Sequence, residues 1–114
     1  MRVEVEPSST SALYRQIADQ IRGGIARGDV AAGERLPVAR DLAADLDVNL
    51  QTVLRAYAAL RDEGLVEVRR RRGVTVIAAP EQADLAGNAR ELVALARRFG
   101  LGDDAIRRLV EVHL

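Results

Sequence analysis

The chain has 114 residues, 48% of them apolar, with 17 basic and 17 acidic side chains, one histidine and no cysteine. That length fits one small domain or a domain with a helical appendage, and the apolar share gives it a core without disulfides. The missing cysteines exclude thiol redox chemistry and thiolate zinc sites, the single His113 makes no ligand set, and the zero net charge excludes a general DNA coater, leaving any nucleic-acid partner to a local basic patch.

No apolar run approaches the roughly 20 residues of a membrane span. The opening MRVEVEPSSTS lacks the apolar stretch behind a basic start that marks a signal peptide. A cytoplasmic location is the expectation, with no metal, no cofactor and no membrane partner. Every basic residue is arginine, which a G+C-rich coding bias explains more simply than function does.

Residues 1–10 read as an extended lead-in in which Val3 and Val5 alternate with charge. A first helix is predicted from about Ala12 to Arg27, because Leu13, Ile17, Ile21 and Ile25 recur every four residues. Ser11 is its expected cap and Gly28 its expected stop. Gly33 and Pro37 bracket a turn. A second helix follows over about Val38–Leu46, with Ala39, Leu42, Ala43 and Leu46 inward, and Asp47–Val48 turns the chain. Asn49 suits the N-cap of a third helix, Leu50 to Glu63, whose inner face is Val53, Ala56, Tyr57 and Leu60 and whose C′ residue is Gly64. Val66/Val68 and Val74/Val76 then alternate as the two strands of a hairpin that Pro80 ends.

The fold class that follows is mainly α with a small β-hairpin (α+β): a winged helix-turn-helix over residues 1–80, then a two-helix C-terminal dimerisation tail over residues 81–114. In the tail, Leu85, Ala89, Leu92, Ala96 and Phe99 form a heptad-like seam on a helix from about Ala83 to Phe99. Gly100 and Gly102 break it, and Asp103 is expected to cap a last helix with Ile106, Leu109 and Val110 inward. Leu85, Leu92, Leu95, Phe99, Ile106, Leu109 and Val110 are the expected dimerisation residues. The tail is too small for a core of its own, which favours pairing of two chains over packing onto its own domain.

The N-terminal residues of the second helix of a helix-turn-helix meet base edges. Here these are Asn49, Gln51, Thr52 and Arg55. Gln pairs with adenine, Thr bonds to a base or touches a thymine methyl, and Arg takes guanine or phosphate. Arg69, Arg70, Arg71 and Arg72 fall at the hairpin tip beside Gly73, where a guanidinium cluster reaches phosphates or the minor groove. Arg40, early in the second helix, is a further phosphate candidate; its alternative is a surface ion pair with Asp41 or Glu34.

Enzyme chemistry has no comparable support, and no catalytic residue is expected. Asp103 and Asp104 are adjacent on a helix and do not face each other. There is no P-loop, no dinucleotide turn and no Ser/His/Asp set. The rival from another class is a winged helix that docks a protein and never touches DNA. Its docking face should be apolar and depleted in charge, whereas Arg55 and Arg69–Arg72 surround this one.

These residues also carry a resemblance. Leu13–Tyr14–Arg15–Gln16–Ile17, Gly28, Gly33–Glu34–Arg35–Leu36–Pro37, Arg40–Asp41–Leu42–Ala43, Asn49, Thr52–Val53, Ala56–Tyr57, Leu60, Glu63–Gly64–Leu65–Val66 and Gly73 together resemble the GntR family of bacterial transcription regulators, and the short C-terminal segment resembles its YtrA-type subfamily. The resemblance implies a winged-helix DNA-binding domain, a homodimer and a pseudo-palindromic double-stranded operator. It implies that Arg40, Thr52 and Gly73 sit where the family contacts DNA, and leaves any small-molecule effector unidentified. Four positions depart from the family pattern. Val38 replaces a usual Ser, Leu50 a common Arg, Ser or Pro, Arg71 a frequent Gly, and Val74 a frequent Thr or Ser.

Overall fold

A computed structural model describes residues 2–9, 11–71 and 73–114. Its elements, in order, are α1 (Leu13–Ala26), α2 (Ala39–Leu46), α3 (Leu50–Asp62), β1 (Val66–Arg69), β2 (Gly73–Val76), α4 (Pro80–Arg98) and α5 (Asp103–Glu111). This is a mainly helical winged helix-turn-helix with a small hairpin.

The four-residue apolar repeat places Ile17, Ile21 and Ile25 in the core, where they meet Val53, Ala56, Tyr57 and Leu60 of α3. Ser11 does not cap α1. The N-cap is Ala12, and the Ser11 N–H bonds to the Ser9 hydroxyl at 3.1 Å. Residues before α1 run along it because two side-chain amides stand in for a neighbouring strand. Gln20 Oε1 accepts from the Glu4 N–H at 2.7 Å, and Gln16 Oε1 accepts from the Glu6 N–H at 2.7 Å. Gly28 stops the helix as expected: at φ +81° it lets the Asp29 N–H turn back to the Gly24 carbonyl at 2.8 Å.

The stretch read as a turn at Gly33–Pro37 does more than turn. The Gly33 and Leu36 amides donate to the Val76 and Val74 carbonyls at 2.7 and 2.8 Å, and the Val76 amide returns a bond to Glu34 at 2.9 Å. The segment thus edges β2, which pairs antiparallel with β1 in the register Val66↔Val76, Glu67↔Thr75, Val68↔Val74 and Arg69↔Gly73. Val66 and Val76 are buried as read, while Val68 is exposed.

Between α2 and α3 the chain reverses at Asp47, in the left-handed region at φ 53°, and the Val48 amide bonds to the Ala43 carbonyl at 3.0 Å. Tyr57, the largest fully buried side chain, donates its hydroxyl to the Pro37 carbonyl at 2.7 Å and so pins the entry to α2 against α3. Burial pushes the Tyr57 hydroxyl pKa above its ordinary value.

α4 begins three residues earlier than the periodicity suggested, because Pro80 takes its first position and Gln82 accepts from the Ala79 N–H at 2.9 Å. Its first turns lie on α1: Ala83 is part of the same core and Ala86 packs against it. Ala96 and Ile106 are buried apart from that core, where the chain reverses at Gly100. Ile106 is inward, as read, and is covered by its own chain. Asp103 does not cap α5: the N-cap is Gly102, and Asp103 instead bonds Arg97 at 2.6 Å, which holds its carboxyl below the usual range. No helix among the described residues is long and apolar enough to cross a membrane.

Candidate nucleic-acid interface

α3 supplies the polar edge. Asn49 Oδ1 accepts from the Gln51 N–H at 2.8 Å, so this residue satisfies an orphan amide of the helix start. Its carbonyl oxygen is committed to that bond. Gln51 and Arg55 are exposed beyond it and Thr52 is half-buried. α2 runs antecedent to this edge, and Arg40 in its first turn is exposed.

Arg55 is held from below. Its guanidinium carbon lies 3.8 Å from the centroid of the Tyr14 ring, on α1, a stacked cation–π geometry. Arg15 bonds the same phenol oxygen at 3.1 Å. That bond chiefly, with the Arg15 and Arg55 charges and against burial, lowers the Tyr14 pKa. Two guanidiniums thus converge on one ring beside the polar edge. The sequence does not single out Tyr14 and Arg15 as site residues, since a helix stripe treats Tyr14 as core and nothing local ties it to Arg55, far along the chain.

The hairpin supplies the second basic element. Arg69 is paired with Glu67 on its own strand at 2.7 Å, so part of its charge is already compensated. Arg70 and Arg71 form the tip and are exposed, and Arg71 has φ 70°. Arg72 lies outside the described residues. Gly73 opens β2 at φ +80°, opposite Arg69. Among the described residues, Arg15, Arg40, Arg55, Arg70 and Arg71 have no carboxylate partner, while the buried Arg22 is fully engaged. Neither Asp41 nor Glu34 pairs with Arg40. The same residues include no cluster of metal-ligating side chains.

Between hairpin, α3 and the start of α2 runs a groove of about 500 Å³, lined by Val38, Leu54, Ala58, Arg61, Val68 and Arg71 among others. The expected site left this groove out. Its one sequence signal was Leu54, an apolar residue off the buried stripe of α3.

A helix-turn-helix whose capped second helix stands beside a basic hairpin matches a known family model, "Bacterial regulatory proteins, gntR family", over residues 13–76. The chain belongs to the GntR family. HTH-type transcriptional regulator Rv1152 of Mycobacterium tuberculosis is 39% identical over 114 residues, 98% of this chain and 93% of that protein. HTH-type transcriptional repressor YtrA of Bacillus subtilis is 34% identical over 74 residues, 65% of this chain and 57% of that protein. The structure of YtrA from Sulfolobus acidocaldarius, described as a GntR-family transcription factor, superposes with a TM-score of 0.62 at 33% identity, covering 97% of this chain and 93% of that one. The matches to Rv1152 and to the Sulfolobus acidocaldarius structure extend past the winged domain over α4 and α5. This GntR chain is accordingly a DNA-binding transcriptional regulator of the helix-turn-helix class, and its relatives are named as regulators rather than enzymes.

Proposed function

We propose that this regulator acts as a homodimer on a pseudo-palindromic operator, as a repressor, in the cytoplasm where its DNA lies. Gln51, Thr52 and Arg55 read bases. Arg40, Arg70, Arg71, Arg72 and Gly73 sit against phosphates, Arg69 adds a partly neutralised charge, and Asn49 presents the helix start. Residues 1–80 carry the DNA contacts. Residues 81–114 pair two chains through Leu85, Leu92, Leu95, Phe99, Leu109 and Val110, with Ile106 beneath them, so the distance between half-sites is set by the tail and should be one helical turn or a multiple of it.

The observation that carries the reading is that Arg40 and Arg55 on the helix-turn-helix and Arg70 and Arg71 at the hairpin tip are all exposed and without a carboxylate partner among the described residues, in a chain whose net charge is zero. A solvated surface needs no such asymmetry, while a phosphate backbone does. Support for pairing comes from the exposed apolar side of α4 and α5, where Phe99 is 77% exposed and Leu85, Leu92 and Leu95 stand open beside it.

The test is binding to the DNA upstream of its own gene at two salt concentrations, followed by footprinting. A specific, two-fold symmetric footprint that weakens steeply with salt is expected. Arg70→Glu with Arg71→Glu should abolish it. Unchanged occupancy in that double variant, or no sequence-selective complex with the unaltered protein, overturns the reading.

A further inference from the structure

Three apolar side chains stand open to solvent on the face assigned to DNA: Val38 is 63% exposed, Leu54 41% and Val68 46%. They come from three different elements and line the same groove. None completes the core, since the buried stripe of α3 is Val53, Ala56, Tyr57 and Leu60. An exposed apolar surface rimmed by charge marks an interaction site more often than an accident. The rim here is cationic, with Arg35, Arg61 and Arg71 around the apolar floor. Arg61 is lightly held by its neighbour Asp62, at 3.2 Å, and Arg35 and Arg71 carry no ion pair among the described residues.

An apolar floor between cations suits one strand of the operator entering backbone first. Such a strand would set phosphates against the guanidiniums and deoxyribose faces against Val38 and Val68. Leu54 lies one turn beyond Leu50 and Gln51 on α3, so it stands next to the polar edge of that helix. In the major groove the one apolar group a base presents is the 5-methyl of thymine, and that methyl projects towards the backbone of its own strand. We propose that Leu54, flanked by Val38 and Val68, reads thymine methyl groups, making the groove a specificity element for T beside the polar edge of Gln51, Thr52 and Arg55. The proposal rests on the DNA-binding reading above and adds to it the base class that this groove selects.

The experiment uses the footprinted duplex from the protein's own promoter and a set of duplexes in which each thymine in turn is replaced by deoxyuridine, which removes the methyl and nothing else. At one or two positions in each half-site the loss should be about fourfold, the transfer value of a single buried methyl, with no loss elsewhere. Leu54→Ala should bind thymine and deoxyuridine duplexes equally at those positions, and Leu54→Met, which keeps the apolar reach, should retain the preference. A thermal melt checks that both variants fold; Leu54→Met also carries the test if the alanine variant does not. Specific binding with no thymine–deoxyuridine difference at any position overturns the proposal and leaves the DNA-binding reading standing. A difference that persists in Leu54→Ala also overturns it. The absence of specific binding to the thymine duplex itself sinks the underlying reading instead.

Discussion

Arg22 closes on the carboxylate that ends α3: its Nε and Nη2 lie 2.8 and 2.5 Å from the two Glu63 oxygens. It is only 4% exposed. Its third nitrogen bonds Asp19 at 2.6 Å, and the same Asp19 oxygen accepts from Arg90 of α4 at 3.0 Å. Burial opposes the charge on Arg22, but the bonds to Glu63 and Asp19 outweigh it, and the pKa is raised. The chain Glu63–Arg22–Asp19–Arg90 therefore ties the end of the recognition helix to the tail helix across α1. Arg22→Met removes a cation whose partners are partly hydrated, so the expected cost is about 2 kcal/mol, below the range for a fully buried pair. Adding Glu63→Met should recover most of it, because no uncompensated carboxylate remains. Arg90→Ala breaks a more exposed pair and should cost less than about 1 kcal/mol. Urea unfolding of the three variants checks the order; equal costs for Arg22→Met and Arg90→Ala would remove Arg22 from the centre of the network.

Arg71 occupies the left-handed region at φ 70°, where a side chain costs about 1 kcal/mol that glycine avoids. The family pattern has glycine there often. Comparison of Arg71→Gly with Arg71→Ala isolates the backbone, since both lose the guanidinium. The glycine variant should be more stable by about 1 kcal/mol, less whatever its freer unfolded chain offsets. Both should lose one phosphate contact, read as a fall of about 0.9 in the slope of log affinity against log salt. A slope unchanged in both variants would take Arg71 out of the interface.

The tail is better probed by point substitution than by truncation. Ala83 belongs to the winged domain's core, so cutting after Pro80 would open that core as well as remove the seam. Phe99→Asp sits on an exposed ring and leaves the core intact. It should give a folded monomer by sedimentation that binds a single half-site as the unaltered chain does. On the full operator it should bind on the order of 100-fold more weakly, from the lost linkage of two sites. A dimer that survives Phe99→Asp paired with Leu92→Asp would place the interface elsewhere.

What the sequence made legible was local. The start of α3, its Asn49 cap and inner face, the two strand segments of the hairpin and the stops at Gly28 and Gly64 all follow from periodicities and caps within a few residues. What stayed hidden was nonlocal. Gln16 and Gln20 look like ordinary exposed helix residues until the lead-in lies along them. Glu34 to Leu36 look like a turn until β2 arrives alongside. Arg22 reads as a surface charge in a helix, because its two carboxylates come from one turn away and from the far end of α3. Ser11 misled for the opposite reason: a good capping residue stood one position too early for the helix that formed.

Val38 is the N-cap of α2, with φ −57° and ψ 134°, and no side chain satisfies the amides behind it. That backbone already has the extended geometry of a capped helix start, so a hydroxyl placed there needs no rearrangement. The side chain is largely exposed, and its removal leaves no cavity. Val38→Ser should therefore stabilise the domain by about 1 kcal/mol, the reverse of the usual cost of making an apolar side chain polar. The same change puts a hydroxyl at the helix start that the proposed interface sets against the DNA backbone, and takes one apolar wall from the groove. Affinity for the operator should hold or rise while preference for thymine over deoxyuridine falls. A melting temperature that drops in Val38→Ser would mean that the isopropyl group is packing against something, and that the groove is closed in solution.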